Sequence, residues 1–179
     1  GMGRAGVRLL QSARIAHDKP TPMQPSPATA QMRVRRADAS ELDELMALEH
    51  HTFDSDRMTR AQYRRHLDSD SALVLVASTS RHHFLGAAVV FFRKRSVVAR
   101  LYSLASHPDG RGQGTGTALI EAVETAARRR RCRVLRLEVR CDNQRAIALY
   151  ERLGYRRLGL QAHYYEDGAD GWRYEKALD

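Results

Sequence analysis

The chain has few cysteines and no long hydrophobic segment. Its two cysteines, Cys132 and Cys141, are too few for a disulfide framework and lack the spacing and histidine partners of a zinc site. We therefore expect ordinary buried or half-buried thiols in a reducing, cytoplasmic compartment. No apolar run reaches the length of about 18 residues that a membrane-spanning helix needs, so we expect a soluble protein without a membrane partner.

Composition and charge describe one basic globular domain. With 179 residues, 42% of them hydrophobic, the chain is long enough for a single domain with a proper core. The 30 basic and 21 acidic residues give a net charge of +9. Such a charge favours a polyanionic partner, which can be nucleic acid, an anionic membrane or a phosphate-rich cofactor, and it does not choose among them.

The first 31 residues differ from the rest. Four of the five prolines fall among them, between Ser, Thr, Gln and Ala residues, and Gly1 ahead of Met2 is interpreted as an expression remnant. The segment 4–14 has the composition of a short basic helix, but its apolar part is too short for a secretory signal. We expect a disordered leader over residues 1–31 and a folded domain over residues 32–179.

From Met32 onward, hydrophobic periodicity predicts the order β-α-α-β-β-β-α-β-α-β-β. This order indicates an α/β (α+β) fold, a mixed sheet with helices on its faces. Helix boundaries are predicted from a cap at Ser40, a capping box of Thr59 with Gln62, and a C-cap at Gly154. Strands are predicted over 32–38, 72–78, 84–94, 97–106, 133–140, 155–165 and 172–178, and helices over 39–53, from 59, 117–131 and 143–153.

Four alternating glycines precede the third predicted helix, in the stretch "HPDGRGQGTGTAL" (107–119). The stretch matches neither the G-x-G-x-x-G dinucleotide fingerprint nor the Walker pattern, because its glycines alternate and no Lys follows Gly116. The first acid within the helix is Glu121, and residues 128–131 are all arginine. The helix N-terminus is thus open to an incoming anion. The alternative is an ordinary surface helix behind a glycine-rich loop.

Two motifs together resemble the GNAT superfamily of acetyl-CoA-dependent N-acetyltransferases. Residues 111–116 (RGQGTG) resemble its R/Q-x-x-G-x-G/A signature, and residues 137–155 (LEVRCDNQRAIALYERLGY) resemble the second half of its cofactor site. The resemblance is closest to RimI-like protein N-acetyltransferases, includes the turn that begins at Tyr164, and covers about residues 32–178. It implies a mostly antiparallel sheet in which the fourth and fifth predicted strands splay apart.

The resemblance also implies a binding site for acetyl-CoA as cosubstrate, without a metal. The pantetheine arm would insert between the splayed strands, along the main chain of Leu104, Ala105 and Ser106, with Asn143 as a further contact. The pyrophosphate would bind backbone N–H groups of Arg111, Gly112, Gln113, Gly114, Thr115, Gly116 and Thr117. A side chain at any of the glycines would hold the phosphates away from those donors.

In this family an amine attacks the thioester directly, so the chemistry needs only a base and an acid. The resemblance implies Glu138 as the base and Tyr150 as the acid. Each residue has a structural alternative: Glu138 as part of a solvated charge ladder with Arg136 and Arg140, and Tyr150 as a core tyrosine. Asn143 has the position of an N-cap, and both of its roles can coexist. A water relay in place of Glu138 also stays open.

Amine basicity bears on the acceptor. An α-amine with a pKa of about 7.7 to 8.0 is roughly a tenth neutral at pH 7, whereas lysine, near 10.4, is almost fully charged. We therefore expect the N-terminus of a peptide or protein, with a small-molecule amine such as a polyamine, aminoglycoside or amino acid as the alternative. The loop 50–59 has Phe53-Asp54-Ser55-Asp56 where RimI-like enzymes have a Phe-Pro-Trp-like segment. Asp54 and Asp56 are candidates to attract a cationic amine or are simply turn residues.

Other classes of function have weaker signals. The charge and the "RRRRCR" stretch (128–133) suggest a nucleic-acid-binding module, but no recognition motif is present, so no nucleic-acid partner is expected. A non-catalytic acetyl-CoA sensor is a further alternative, and a monomer or homodimer is expected. The paired histidines lack a third metal ligand at usable spacing and are interpreted as surface residues: His50, His51, His82 and His83.

Overall fold

The computed structural model describes residues 8–9, 31–80 and 82–179. These residues form a mixed sheet and four α-helices. The strands are β1 (Arg8–Leu9), β2 (Arg33–Arg36), β3 (Ala72–Ser80), β4 (His83–Phe91), β5 (Val98–Ser106), β6 (Val134–Arg140), β7 (Arg156–Gln161) and β8 (Gly171–Ala177). The helices are α1 (Leu42–Thr52), α2 (Arg60–Asp68), α3 (Thr115–Arg129) and α4 (Gln144–Arg152), with 3₁₀ turns at Ala39–Glu41 and Pro108–Gly110.

The sheet has the strand order β2-β3-β4-β5-β6-β8-β7, with β1 paired to β5 off this path. Neighbouring strands on the path are antiparallel except β5 and β6, which are parallel. One core cluster joins the sheet to α3 and α4, and another joins it to α1 and α2. The mixed sheet with helices on both faces confirms the predicted fold class and, from β2 onward, the predicted order of elements.

Local signals explain most helix boundaries. The capping box of Thr59 and Gln62 is present at the start of α2, as predicted. The cap predicted at Ser40 is wrong, because Asp38 accepts the N–H of Ser40 and forms a capping box with Glu41. Aspartate two positions earlier is an equally good cap, and a 3₁₀ turn lengthens the helix entry by that amount.

The leader lies almost entirely outside the described residues, and so does the prediction that it is disordered. Within it the structure describes residue 31 and β1, whose two residues pair with Ser103 and Leu104 of β5. At these two residues the chain is a strand and not the short basic helix that the composition allows. No helix in the described part of the chain is long and apolar enough to cross a membrane.

Candidate active site

The β5 and β6 strands separate in the middle of the sheet. They pair only from Val98 to Arg100, opposite Val134 to Arg136, although β5 continues to Ser106. The predicted fourth and fifth strands are therefore splayed, as the resemblance implied. Because β4 occupies the other side of β5, β1 lies on the side of this gap. The gap thus exposes backbone groups that an extended chain can pair with.

The predicted pantetheine-lining residues lie at the open end of β5. The side chains of Leu104 and Ala105 are buried, and Ser106 lines a cavity of about 370 Å³ together with the glycine loop. Leu104 is also one of the two residues that pair with β1. Of the three residues, Leu104 therefore lies at the gap and Ser106 at the cavity.

The glycine loop prepares an open helix N-terminus. Gly112 and Gly114 have φ values of +73° and +72°, which favour glycine, and an added Cβ at either would meet no atom within 4 Å. Gly114 is the N-cap of α3 without a side-chain cap, and the first turn holds no acid. The unpaired N–H groups of that turn therefore face open space with their partial positive charge.

The other two glycines have a different role. A Cβ at Gly110 would lie 2.8 Å from Oγ1 of Thr115, and one at Gly116 would lie 3.0 Å from Cδ2 of Leu149. These positions need glycine because the loop packs tightly against its surroundings. The expectation that a side chain at any of the four would displace a phosphate therefore applies to Gly112 and Gly114 only.

Two hydrogen bonds brace the loop from within. The hydroxyl of Thr115 donates to the carbonyl of Gly110 at 3.1 Å, and the amide nitrogen of Gln113 donates to the carbonyl of Asp109 at 2.9 Å. The side chains of these two predicted residues thus hold the shape of the loop. The backbone N–H of Gln113 is also used within the loop, since it donates to the carbonyl of Gly110 at 3.2 Å, and that of Arg111 donates to the carbonyl of Pro108 at 3.1 Å.

Two basic residues of the cavity were missed by sequence reasoning. Arg145 and Arg152 of α4 line it together with Arg111 and Thr117. They lie seven positions apart, which is two helical turns, so they share one face of the helix. The spacing of these two arginines is visible in the sequence, but the sequence does not show that this face of α4 lines a cavity. Three arginines and an open helix N-terminus together favour a polyphosphate ligand.

Asn143 and Tyr150 lie at the two ends of one short helix. The side chain of Asn143 caps α4 by accepting the N–H of Ala146 at 3.1 Å, as its position predicted. Tyr150 is fully buried in the core cluster that contains Leu137 and Val139, the β6 residues beyond its pairing with β5. The cap thus fixes the start of the helix that carries the tyrosine toward the gap.

The hydroxyl of Tyr150 has no hydrogen-bond partner among the described residues, although it is buried. Burial, with smaller effects of Tyr155 and Tyr165, raises the pKa of Tyr150 well above its ordinary value. A core tyrosine of the ordinary kind would have a satisfied hydroxyl, since a buried unpaired polar group costs about 1 to 3 kcal/mol. Tyr150 is therefore a protonated hydrogen-bond donor without an acceptor in the described part of the chain.

Glu138 is buried on the opposite face of β6, with only 1% of its surface exposed. One carboxylate oxygen accepts two hydrogen bonds from Arg173 at 3.3 and 3.2 Å, and the other accepts one from Arg100 at 3.2 Å. The alternative of a solvated ladder is wrong, because Arg136 pairs with Glu175 and Arg140 with aspartates. Glu138 is thus a fixed carboxylate between two arginines.

The turn after β7 closes this region. Arg100 also donates to the hydroxyl oxygen of Tyr164 at 2.5 Å, and burial together with the charge of Glu138 raises the pKa of Tyr164 to about 12. Asp167 of the same turn pairs with Arg140 at 2.7 Å, which holds the turn against the end of β6. The turn that the resemblance included therefore contacts the candidate base through an arginine.

Hydrogen bonds to a buried glutamate hold the loop between α1 and α2 in place. The buried carboxylate of Glu49 accepts the N–H of Met58 at 2.5 Å and the hydroxyl of Tyr63 at 3.1 Å. Asp56 has a φ of +54° in a turn, and its charge contributes to the raised pKa of Tyr165. Asp56 of this loop therefore lies within electrostatic range of Tyr165 in the turn after β7.

The histidines and cysteines in the described part of the chain do not form a group that could hold a metal ion. His51 and His83, interpreted as isolated surface residues, are exposed but lie near His107, with ring centroids 5.5 and 6.2 Å from it. No group of three or more His, Cys, Asp or Glu in the described part of the chain has the geometry to hold a metal ion. Burial raises the pKa of both cysteine thiols, so neither is an activated nucleophile.

Comparisons with known proteins agree with these features. The acetyltransferase (GNAT) family matches residues 39–155. The [ribosomal protein bS18]-alanine N-acetyltransferase of Escherichia coli is 42% identical over 67 residues, which is 37% of this chain and 45% of that protein. N-alpha-acetyltransferase 30 of Schizosaccharomyces pombe is 33% identical over 94 residues, 51% of this chain and 63% of that protein. The match thus spans less than half of the first relative's length.

Solved structures show the same fold. The crystal structure of the ribosomal-protein-S18-alanine N-acetyltransferase from Escherichia coli has a TM-score of 0.73 at 23% identity, covering 83% of this chain and 95% of that one. The NatC complex bound to Gag peptide and CoA has a TM-score of 0.73 at 21% identity, covering 83% of this chain and 99% of that one.

Proposed function

The chain belongs to the acetyltransferase (GNAT) family, and we propose that it transfers the acetyl group of acetyl-CoA to the N-terminal α-amine of a peptide or protein. The observation that carries the proposal is the buried, unpartnered hydroxyl of Tyr150, a residue of the core cluster that also contains Leu104 of β5 and Leu137 of β6. A structural tyrosine would not leave this hydroxyl unsatisfied, whereas an acid for a departing thiolate must have it available.

The protein's own groups fit acetyl-CoA. The N–H groups at the start of α3, with Arg111, Arg145 and Arg152, would hold its phosphates, and an added Cβ at Gly112 or Gly114 would project into the same space. The β5 edge would pair with the pantetheine amides, since the gap already accommodates the strand β1. The phosphates and the pantetheine arm would thus each meet a matching surface of the protein.

The chemistry divides between the two faces of β6. Acetyl-CoA supplies the thioester that the acceptor amine attacks directly within a ternary complex. The ammonium of the acceptor loses a proton, and a carboxylate oxygen of Glu138 accepts that proton directly or through a water molecule. Tyr150 donates its hydroxyl proton to the departing thiolate sulfur. Its raised pKa keeps it protonated over the working pH range.

The charges around Glu138 favour a weakly basic amine. Arg100 and Arg173 pair with its carboxylate, and their positive charges oppose an ammonium beside them. An α-amine, roughly a tenth neutral at pH 7, needs less assistance than a lysine. The two relatives described above are named as an alanine N-acetyltransferase of a ribosomal protein and an N-alpha-acetyltransferase, and these names support the same choice for this chain.

A thiol-release assay with acetyl-CoA tests the acceptor class. The panel contains peptides with a free α-amine, the same peptides with a blocked N-terminus and one internal lysine, polyamines and aminoglycosides. We expect thiol release with the free α-amines and at least about tenfold less with the blocked peptides. Release confined to polyamines or aminoglycosides would overturn the choice of a peptide acceptor, and CoA binding without release from any amine would indicate a sensor.

Replacing Glu138 with glutamine tests the base. Because a lost base matters less when the acceptor is already neutral, we expect kcat/KM to fall about 100-fold at pH 7 and much less at pH 9. The pH profile is measured with one α-amine peptide from pH 6 to pH 9.5. Glu175→Gln, which removes a neighbouring carboxylate paired with Arg136, is the matched control and should retain the wild-type profile. An equal loss at both pH values would assign Glu138 a purely structural role.

A further inference from the structure

Eight basic residues without an ion pair in the described part of the chain lie at one end of the sheet. Residues 93–95 (RKR) lie in the loop between β4 and β5, residues 128–131 (RRRR) end α3, and Arg133 precedes β6. The side chains of all eight residues are exposed. We call this group the basic end. It lies opposite the glycine loop, because α3 spans its 15 residues, about 22 Å, between the two.

Specific contacts join these separate segments into one surface. The guanidinium of Arg130 stacks on the ring of Phe92 at 4.0 Å and donates to the carbonyl of Asp70 at 2.6 Å. The backbone N–H groups of Arg133 and Val134 both donate to the carbonyl of Val97, at 2.7 and 3.1 Å. The basic end is therefore built on a fixed framework that brings residues some 35 positions apart in sequence together.

Ion pairs in the described part of the chain lie outside the basic end. Its segments contain no acidic residue, and none of its eight side chains forms an ion pair within the described part of the chain. Arginines elsewhere are commonly paired, as Arg35 is with Glu41 and Arg136 with Glu175. The acetyl-CoA cavity lies at the other end of α3, so the proposed reaction does not use this charge either.

The chemistry of the surface selects its partner. Seven of the eight cations are arginines, whose planar donor forks match phosphate oxygens. The apolar side of α3, including Leu119 and Val123, is buried in the core, so this helix has no apolar face to insert into a lipid bilayer. Phe92 is covered by Arg130, which leaves no aromatic platform here for unstacked bases.

We propose that the basic end binds the phosphate backbone of double-stranded nucleic acid without sequence preference. A duplex presents one charge per about 1.7 Å, and neutralising it releases counterions. Binding to the phosphate backbone needs no motif that reads bases. The expectation of no nucleic-acid partner rests on the missing recognition motif, and it therefore does not apply to backbone binding. The inference does not depend on the acetyltransferase proposal, because its surface and its readout are separate.

Fluorescence anisotropy with labelled 20-base-pair RNA and DNA duplexes tests this inference on the full chain. We expect binding whose log K falls with log salt at a slope of about −4 to −5, as for about five phosphate contacts. The variant Arg93→Gln, Lys94→Gln, Arg95→Gln should bind at least tenfold more weakly with a slope shallower by about two. Arg128→Gln with Arg129→Gln should weaken binding similarly through the other segment.

The matched control removes two exposed arginines from edge strands, Arg33→Gln and Arg156→Gln, and should change duplex affinity less than threefold. Equal weakening by this control would overturn the assignment to the basic end. Binding to vesicles of anionic phospholipid but not to either duplex would also overturn it, in favour of a membrane surface. Thiol release with a free peptide should be unchanged in the loop variant, which separates this inference from the acetyltransferase proposal.

Discussion

Tyr150→Phe lowers kcat by about 100-fold or more while the Kd for acetyl-CoA changes less than twofold. The substitution removes only the hydroxyl, and a general acid contributes about 10² to 10⁴ in rate. No hydrogen bond within the described part of the chain is lost, because this hydroxyl has no partner there. The thermal midpoint should therefore stay the same or rise, which is unusual for a catalytic tyrosine buried in a core.

Steady-state kinetics, calorimetric titration with acetyl-CoA and thermal unfolding together check this expectation. The matched control is Tyr155→Phe, since Tyr155 is also buried and its hydroxyl donates to Glu124 at 3.2 Å. That variant should lose stability and keep its turnover, the reverse of Tyr150→Phe. Unchanged turnover in Tyr150→Phe would remove the tyrosine from the chemistry and leave its empty hydroxyl without a role.

Gly114→Ala raises the Kd for acetyl-CoA by at least tenfold with little change in kcat at saturation. The residue has a φ of +72°, so alanine there costs about 1 to 2 kcal/mol of backbone strain. Its Cβ would also project into the open space in front of the α3 N-terminus, where the phosphates are proposed to bind. Both effects act on binding of the cosubstrate and neither touches the reacting groups.

Gly168→Ala separates the two effects. Gly168 has a φ of +82° and, like Gly114, no atom within 4 Å of an added Cβ, but it lies in the turn after β7. Its replacement should cost similar stability and leave the Kd for acetyl-CoA unchanged in calorimetric titration. If both variants bind acetyl-CoA equally weakly, backbone strain alone explains the loss and the α3 N-terminus is not the phosphate site.

The sequence predicts the fold well where hydrophobic periodicity is long. The strands and helices from β2 to β8 follow the predicted order, and the long central elements, such as β3, β4 and α3, bury apolar residues at regular spacing. The predicted strand 155–165 ends instead at Gln161, since His163 has a φ of +52° and donates its N–H to Asp170. That bond joins residues across a turn, and periodicity carries no information about it.

The candidate site is only partly predictable for the same reason. The glycine loop, Asn143 and Tyr150 have local signals, namely spacing, a cap position and a helix face. The partners of Glu138 do not, because Arg100 and Arg173 lie 38 and 35 residues away and meet it only through strand register. The basic cavity residues of α4 had a signal at helical spacing, but only the folded chain shows which cavity that face lines.

The gap between β5 and β6 gives the sheet an edge inside the molecule. Edge strands ordinarily invite other chains to pair with them, and proteins must protect them against aggregation. Here β5 beyond Arg100 has β4 on one side, and on the other side it faces the diverging β6 and pairs with the two-residue strand β1 at Ser103 and Leu104. A single narrow chain can still enter. The fold therefore offers free backbone donors and acceptors to a slender ligand without the self-association that an outer edge would risk.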